Sequence, residues 1–285
     1  MTPKRFFFTV IFTVIATGLG LLSCDNNKDL VPSFIVINKE DITIRYNSIL
    51  GTGSTAHDLS DVWVQVNGKN LGCWELPARI PVLERGNCNI TVKAGIVLNG
   101  MKASHSAYSF FESFKTTADL EPRMETRLYP EFAYADNVTF PFIENFESAG
   151  IQLTSSSDSQ ADITTSGLVE LKDTAVYFDL RSENLYLLND GTCRIFFELN
   201  YKTDASVGIG LFAVGSSGSI IHHPILMINP SGGQWKKIYV DLSQVVGKNY
   251  AAKNFILQIT GFRENDNPAN FYFNNLRILQ HPSYY

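Results

Sequence analysis

From about residue 30 onward, apolar and polar residues alternate with a period of two, the mark of strands with one buried face. Ile42, Ile44 and Tyr46 alternate with Thr43 and Arg45, and Val62, Val64 and Val66 share a face opposite Trp63 and Gln65. Asn67-Gly68 follows, a hairpin signal because both residues tolerate positive φ. The pattern predicts further strands at residues 71–76, 80–83, 88–92, 108–114 and 116–120. No 12-residue window carries a helical period with caps. The chain therefore reads as all-β.

The alternation breaks between residues 121 and 139, where Pro122 and Pro130 hold their neighbours extended and argue for a semi-rigid connector. Beyond it the strands lengthen. Ile195, Phe197, Leu199 and Tyr201 form one row, followed by Val207, Ile209, Leu211 and Ala213, by Ile238, Val240 and Leu242, and by Phe255, Leu257 and Ile259. Gly215-Ser-Ser-Gly218 and Ser231-Gly-Gly233 supply turns. About eight strands in ~150 residues favour a two-sheet jelly roll. The expected organisation is a β-sandwich over residues 33–120, a connector over 121–139 and a jelly roll over 140–285.

The first 23 residues stand apart. Lys4 and Arg5 precede an uncharged stretch from Phe6 to Leu22, the n-region and h-region of a secretory signal. Leu21-Leu22-Ser23-Cys24 resembles the lipobox of bacterial lipoproteins, which implies cleavage before Cys24 and acylation, including palmitate, at that residue. Residues 24–32 would then be an acylated cysteine and polar tether. Lys28-Asp29 resembles the export signal of surface-displayed lipoproteins, so outer-membrane anchoring at the cell surface is the expectation. Losing Lys4 and Arg5 takes 23 basic residues to 21 against 28 acidic ones, a net charge of −7. With no Lys/Arg cluster to neutralise phosphates, nucleic acid is not an expected partner.

Three cysteines remain. Cys73 and Cys88 flank an apolar stretch and read either as a disulfide between adjacent strands or as two buried thiols. No C-x-x-C occurs, which removes thioredoxin-like and zinc-ribbon chemistry.

The blocks VWVQVNGKNLG, ELPARIPVL and NITVKAGIVLNG within Val62–Gly100 resemble the N-terminal immunoglobulin-like or carboxypeptidase-regulatory-like domain of small outer-membrane lipoproteins. IENFESAG (143–150), WKKIYVDLS (235–243) and FYFNNLRIL (271–279) resemble the first, middle and last strands of galactose-binding-like, carbohydrate-binding-module jelly rolls. That second resemblance implies a structural calcium between a carboxylate on the first strand and an Asp on the last. Glu147 fills the first position, but Asn274 replaces the Asp and removes a charge. A solvated Glu and a turn-stabilising Asn are the competing reading. The resemblance also places Trp235 on a normally buried strand.

Catalytic patterns are missing. Neither H-E-x-x-H nor G-x-S-x-G occurs, and Gly51-Thr-Gly-Ser-Thr-Ala56 precedes a strand where a dinucleotide site needs a helix. His222-His223 reads as a turn before Pro224, and Asp179, Glu183 and Asp190 as a polar loop. Tyr177, Tyr186 and Tyr250 are the candidate ligand-binding aromatics. The sequence thus points to a non-enzymatic, lipid-anchored accessory subunit bound to an outer-membrane protein or envelope complex. The alternative is a surface protein that captures polysaccharide through the jelly roll. An aromatic row over a sheet favours glycan, whereas a flat apolar patch favours a protein partner.

Overall fold

A computed structural model describes residues 31–45, 55–147 and 150–282. The signal region and Cys24 lie outside these residues, and no helix among the described residues is long and apolar enough to cross a membrane. The chain folds as two successive β-sandwiches. The first contains β1 (Ser33–Ile37), β2 (Thr43–Ile44), β3 (Asp61–Val66), β4 (Lys69–Glu75), β5 (Ala78–Val82), β6 (Gly86–Val97), β7 (His105–Ala107), β8 (Phe114–Leu120), β9 (Glu125–Arg127) and β10 (Glu131–Phe132). One sheet runs β4-β3-β6-β7, with β8 also paired to β6; smaller sheets run β5-β1-β9 and β10-β2.

The β3–β4 hairpin turns at Asn67 and Gly68 with φ of 50° and 80°, the geometry the Asn-Gly pair favours. Other expectations change. Of the strand predicted from Ile42, only Thr43–Ile44 forms, just after a 3-10 turn at Lys39–Asp41, with Tyr46 outside the described residues; and only the end of the 108–114 stretch is strand. Residues expected to form a connector instead supply β9, which pairs in parallel with β1, and β10, which pairs in parallel with β2. The prolines there sit beside short strands that knit the segment into the first sandwich.

The second sandwich contains β11 (Thr139–Glu144), β12 (Leu153–Ser155), β13 (Leu168–Leu171), β14 (Tyr177–Ser182), β15 (Cys193–Thr203), β16 (Val207–Gly215), β17 (Ile220–Ile228), β18 (Lys236–Asp241), α1 (Ser243–Lys248), β19 (Ala252–Phe262) and β20 (Ala269–Pro282). Against the all-strand expectation, α1 adds one short helix. A sheet of order β11-β20-β15-β18, with β13 on β20, faces a sheet of order β12-β14-β19-β16-β17. The predicted apolar rows on β15, β16, β18 and β19 meet between them and form the core.

The first of these sheets is covered on both faces. Phe196, Tyr239 and Leu279 on its other face join the core of the first sandwich, which is why β15 is buried almost without interruption. This docked face also carries Glu198, which is 0% exposed. Lys237 Nζ lies 2.6 Å and Arg277 Nε 3.6 Å from Glu198 Oε2. The Tyr108 and Tyr134 hydroxyls donate to the same carboxylate. Burial alone would raise the Glu198 pKa, but the two cations outweigh it and hold it below the ordinary range. Among the described residues no second sandwich packs on the outer face of the other sheet, which is here termed the open sheet.

Candidate functional site

The outward face of the open sheet collects polar and aromatic groups in three rows across the strands. Asp179, Thr260, Gly208 and Met227 lie in register; Arg181, Gln258, Gly210 and Pro224 form the next row; Ile256, Phe212 and His222 form the third. On β14, β16 and β19 these residues alternate with core residues, so the period that builds the core also presents this face.

Asp179 is 2% exposed although it faces outward. Arg181 Nη2 and Nε donate to its Oδ2 at 2.6 and 3.1 Å, and Gln258 Nε2 donates to its Oδ1 at 2.9 Å. The Arg181 guanidinium also lies 4.8 Å from the centroid of the Phe212 ring, and the His222 ring sits 4.6 Å from that ring at 32°. At the end of the face, Tyr177 and Phe262 pair at 4.8 Å and 33°. Burial, and then the nearby Asp179 charge, raise the Tyr177 phenol above its usual range.

Gly208 and Gly210 keep the middle of this face low. A Cβ at Gly208 would stand 2.5 Å from Thr260 Oγ1, and one at Gly210 would stand 2.7 Å from Gln258 Oε1 and 2.8 Å from His222 Nε2. The result is a depression of about 210 Å³ bordered by His222, Met227, Gln258 and Thr260. Its walls offer an amide, a hydroxyl and an imidazole within one small, apolar-edged hollow.

The predicted residues are scattered relative to this face. Tyr177 belongs to it, while Tyr186, next to the Leu185–Phe255 bridge, and Tyr250, in the turn before β19, are 67% and 77% exposed and lie outside its three rows. Asp179 is a strand residue rather than part of a loop. His222-His223 is mid-strand rather than a turn: His222 faces Phe212, and His223 Nε2 lies 3.2 Å from Asn249 Oδ1. Trp235 is half-exposed and meets Tyr272 edge-on at 6.4 Å, away from the open sheet.

Glu147 is exposed and accepts from Asn145 Nδ2 at 2.9 Å, while Asn274 Oδ1 accepts from the Asn275 amide. The buried carboxylate near the start of the jelly roll is instead Glu144, occupied by the Phe146 and Gln152 amides at 2.7 and 2.6 Å. Cys73 and Cys88 are free thiols. Cys88 points into the core from β6 and Cys73 lies on the exposed side of β4, so the disulfide considered from the sequence does not form. Sequence reasoning missed Arg181, Phe212 and Gln258. The available signal was the Gly208-Ile-Gly210 alternation, in which the outward positions of a strand carry no side chain.

A scan against protein families finds no match, and neither does a search of curated proteins. Solved structures match about half of the chain. A CBM22 xylan-binding domain matches 50% of this chain and 95% of its own at 16% identity and TM-score 0.34. The CBM22-1 xylan-binding domain of Paenibacillus barcinonensis Xyn10C matches 53% and 99% at 10% identity and TM-score 0.39. A family 29 carbohydrate-binding module complexed with mannohexaose matches 51% and 92% at 13% identity and TM-score 0.32. At these values the likeness describes the fold alone.

Proposed function

We propose that this protein is a non-enzymatic glycan-binding lipoprotein that holds polysaccharide on the open sheet of its jelly roll. The observation that carries the reading is the juxtaposition of Gly208 and Gly210 with the Asp179–Arg181–Gln258 group between the Phe212–His222 and Tyr177–Phe262 pairs. Sugar rings present apolar C–H faces and a rim of hydroxyls; aromatic faces match the former and fixed polar groups the latter. Because Asp179 neutralises Arg181, the reading favours a neutral polysaccharide over an acidic one.

The accessory-subunit reading ranks second, since this face is a hydrogen-bonded polar array and not a flat apolar patch. The Phe6–Leu22 stretch and Cys24 support an anchored location at the outer membrane. The test is native affinity electrophoresis of the full chain in mild detergent through gels containing xylan, mannan or mixed-linkage β-glucan. At least one gel retards the wild type, and both Phe212→Ala and Gly210→Val lose most of that retardation with unchanged circular dichroism. No retardation in any gel, or equal retardation of both variants, overturns the reading. Stoichiometric recovery of an outer-membrane protein in that event would favour the accessory-subunit alternative.

A further inference from the structure

A second cluster lies in the other sandwich. Asp61 begins β3 on the outward face of its sheet, yet it is 0% exposed. Its Oδ1 accepts from Cys73 Sγ at 3.3 Å, and its Oδ2 lies 2.7 Å from His105 Nδ1 and accepts from Ser60 Oγ at 2.6 Å. A thiol, an imidazole and a hydroxyl surround this buried carboxylate; among the described residues its ion-pair partner is His105, and no Lys or Arg pairs with it. Buried carboxylates are stable when paired with a cation or bound to a metal.

The chain makes room for the arrangement. Gly95 lies opposite Asp61 on β6, and a Cβ there would stand 1.7 Å from Asp61 Oδ1. Any other residue would displace the carboxylate from its place between Cys73 and His105. Asp61, Cys73 and His105 come from β3, β4 and β7, and their donor atoms all lie within 4.8 Å of one another. Among the described residues, no other group of three or more His, Cys, Asp or Glu side chains converges in this way.

We infer that Cys73, His105 and Asp61 form a zinc site in the N-terminal sandwich, with the fourth position open to water. Donor chemistry selects the metal. One soft sulfur, one imidazole nitrogen and one carboxylate oxygen suit zinc, whereas calcium and magnesium take oxygen ligands. Zinc bonds of ~2.0–2.3 Å set tetrahedral donors roughly 3.3–3.7 Å apart. Cys73 Sγ lies 3.3 Å from Oδ1 and His105 Nδ1 2.7 Å from Oδ2 of the same carboxylate; with one donor atom from each residue all within 4.8 Å, shifts of roughly 1 Å bring one oxygen, the sulfur and the nitrogen to this spacing.

Glu75, directly opposite Asp61 on β4, places Oε1 3.6 Å from His105 Nε2. The Glu75 carboxylate therefore stands on the Nε2 side of the ring, where its charge favours a proton on Nε2 and a free Nδ1 toward the metal, as second-layer carboxylates do at zinc sites. On binding, zinc displaces the thiol proton, which passes to solvent, and the proton held between His105 Nδ1 and Asp61 Oδ2, which passes to His105 Nε2 or, where Nε2 already carries one, to solvent; the ion then joins edge strand β4 to β3 and β7. This inference is independent of the glycan reading because none of its residues lies on the jelly roll.

The test is titration of the untagged, chelator-treated full chain with Co²⁺ in detergent and a non-thiol reductant. One Co²⁺ per chain is expected, with thiolate-to-cobalt charge-transfer absorption that equimolar Zn²⁺ abolishes. Cys73→Ser loses that absorption, and His105→Ala weakens binding at least ~10-fold. Glu75→Gln, at an exposed position and therefore safe for folding, weakens it by about 10-fold as a positioning residue. A wild-type spectrum without thiolate absorption, or Cys73→Ser and His105→Ala binding as tightly as wild type, overturns the site. The wild-type spectrum decides the matter even if a variant fails to fold.

Discussion

Cys73 shows how one residue's chemistry departs from what its type and exposure imply. The residue is exposed, yet burial around its sulfur, followed by the hydrogen bond to Asp61, pushes the thiol up to about 12. A thiol raised that far is almost wholly protonated at pH 8, and only the thiolate attacks an alkylating agent. Cys73 in chelator-treated protein is therefore expected to react with iodoacetamide on the order of 10²- to 10³-fold more slowly than an open cysteine. Asp61→Asn should recover much of that rate, read by mass spectrometry of the Cys73 peptide. Reaction of the wild type at the ordinary rate would contradict the raised pKa. Asp179 teaches the same lesson: its short-range context reads as a polar loop, but its two partners fix it as a buried strand carboxylate.

At the scale of elements, the alternation reads well wherever a strand has one core face. β3, β4, β16, β18 and β19 lie where the period places them, and Asn67-Gly68 turns as its residue types require. The pattern misleads where strands are short or paired in parallel over two or three residues, as β9 and β10 are, because so few positions carry no period. Glycine inside a strand carries a separate message. Gly261 faces the jelly-roll core, where an added Cβ would stand 2.3 Å from Phe178 Cε1 and 2.9 Å from Phe271 Cε1. Gly261→Ala should destabilise the protein by about 1–3 kcal/mol through overpacking. Urea unfolding followed by tryptophan fluorescence measures this; a change below ~0.5 kcal/mol would show that the aromatic rings move aside freely.

For the whole molecule, the decisive feature is the face through which the sandwiches join. Phe196, Tyr239 and Leu279 extend the first core into the second domain, and Glu198 holds Lys237, Arg277, Tyr108 and Tyr134 across the junction. Glu198→Ala leaves two buried cations uncompensated and should cost about 3–5 kcal/mol. Calorimetry should show one transition in the wild type and two in the variant as the sandwiches uncouple. Because the folded pKa of Glu198 lies below its unfolded value, its stabilisation is present above the unfolded value, about 4.3. It is lost as pH falls through that value toward the folded one. The wild type should therefore lose melting temperature on acidification below about pH 4.3, and Glu198→Gln should lose less.

The sequence alone determined the β class, the two-part organisation, the core rows and the principal hairpin, because period and turn chemistry act between near neighbours. Only the tertiary structure decided which carboxylates meet which partners. Asp179 and Gln258 are 79 residues apart, Asp61 and His105 44, and Glu198 and Tyr108 90. Such pairs are set by strand order and register, which close over distances that no local alternation encodes. The open face, the junction and the Asp61–Cys73–His105 cluster therefore arose with the fold, while the strands that carry them were written in the period of the chain.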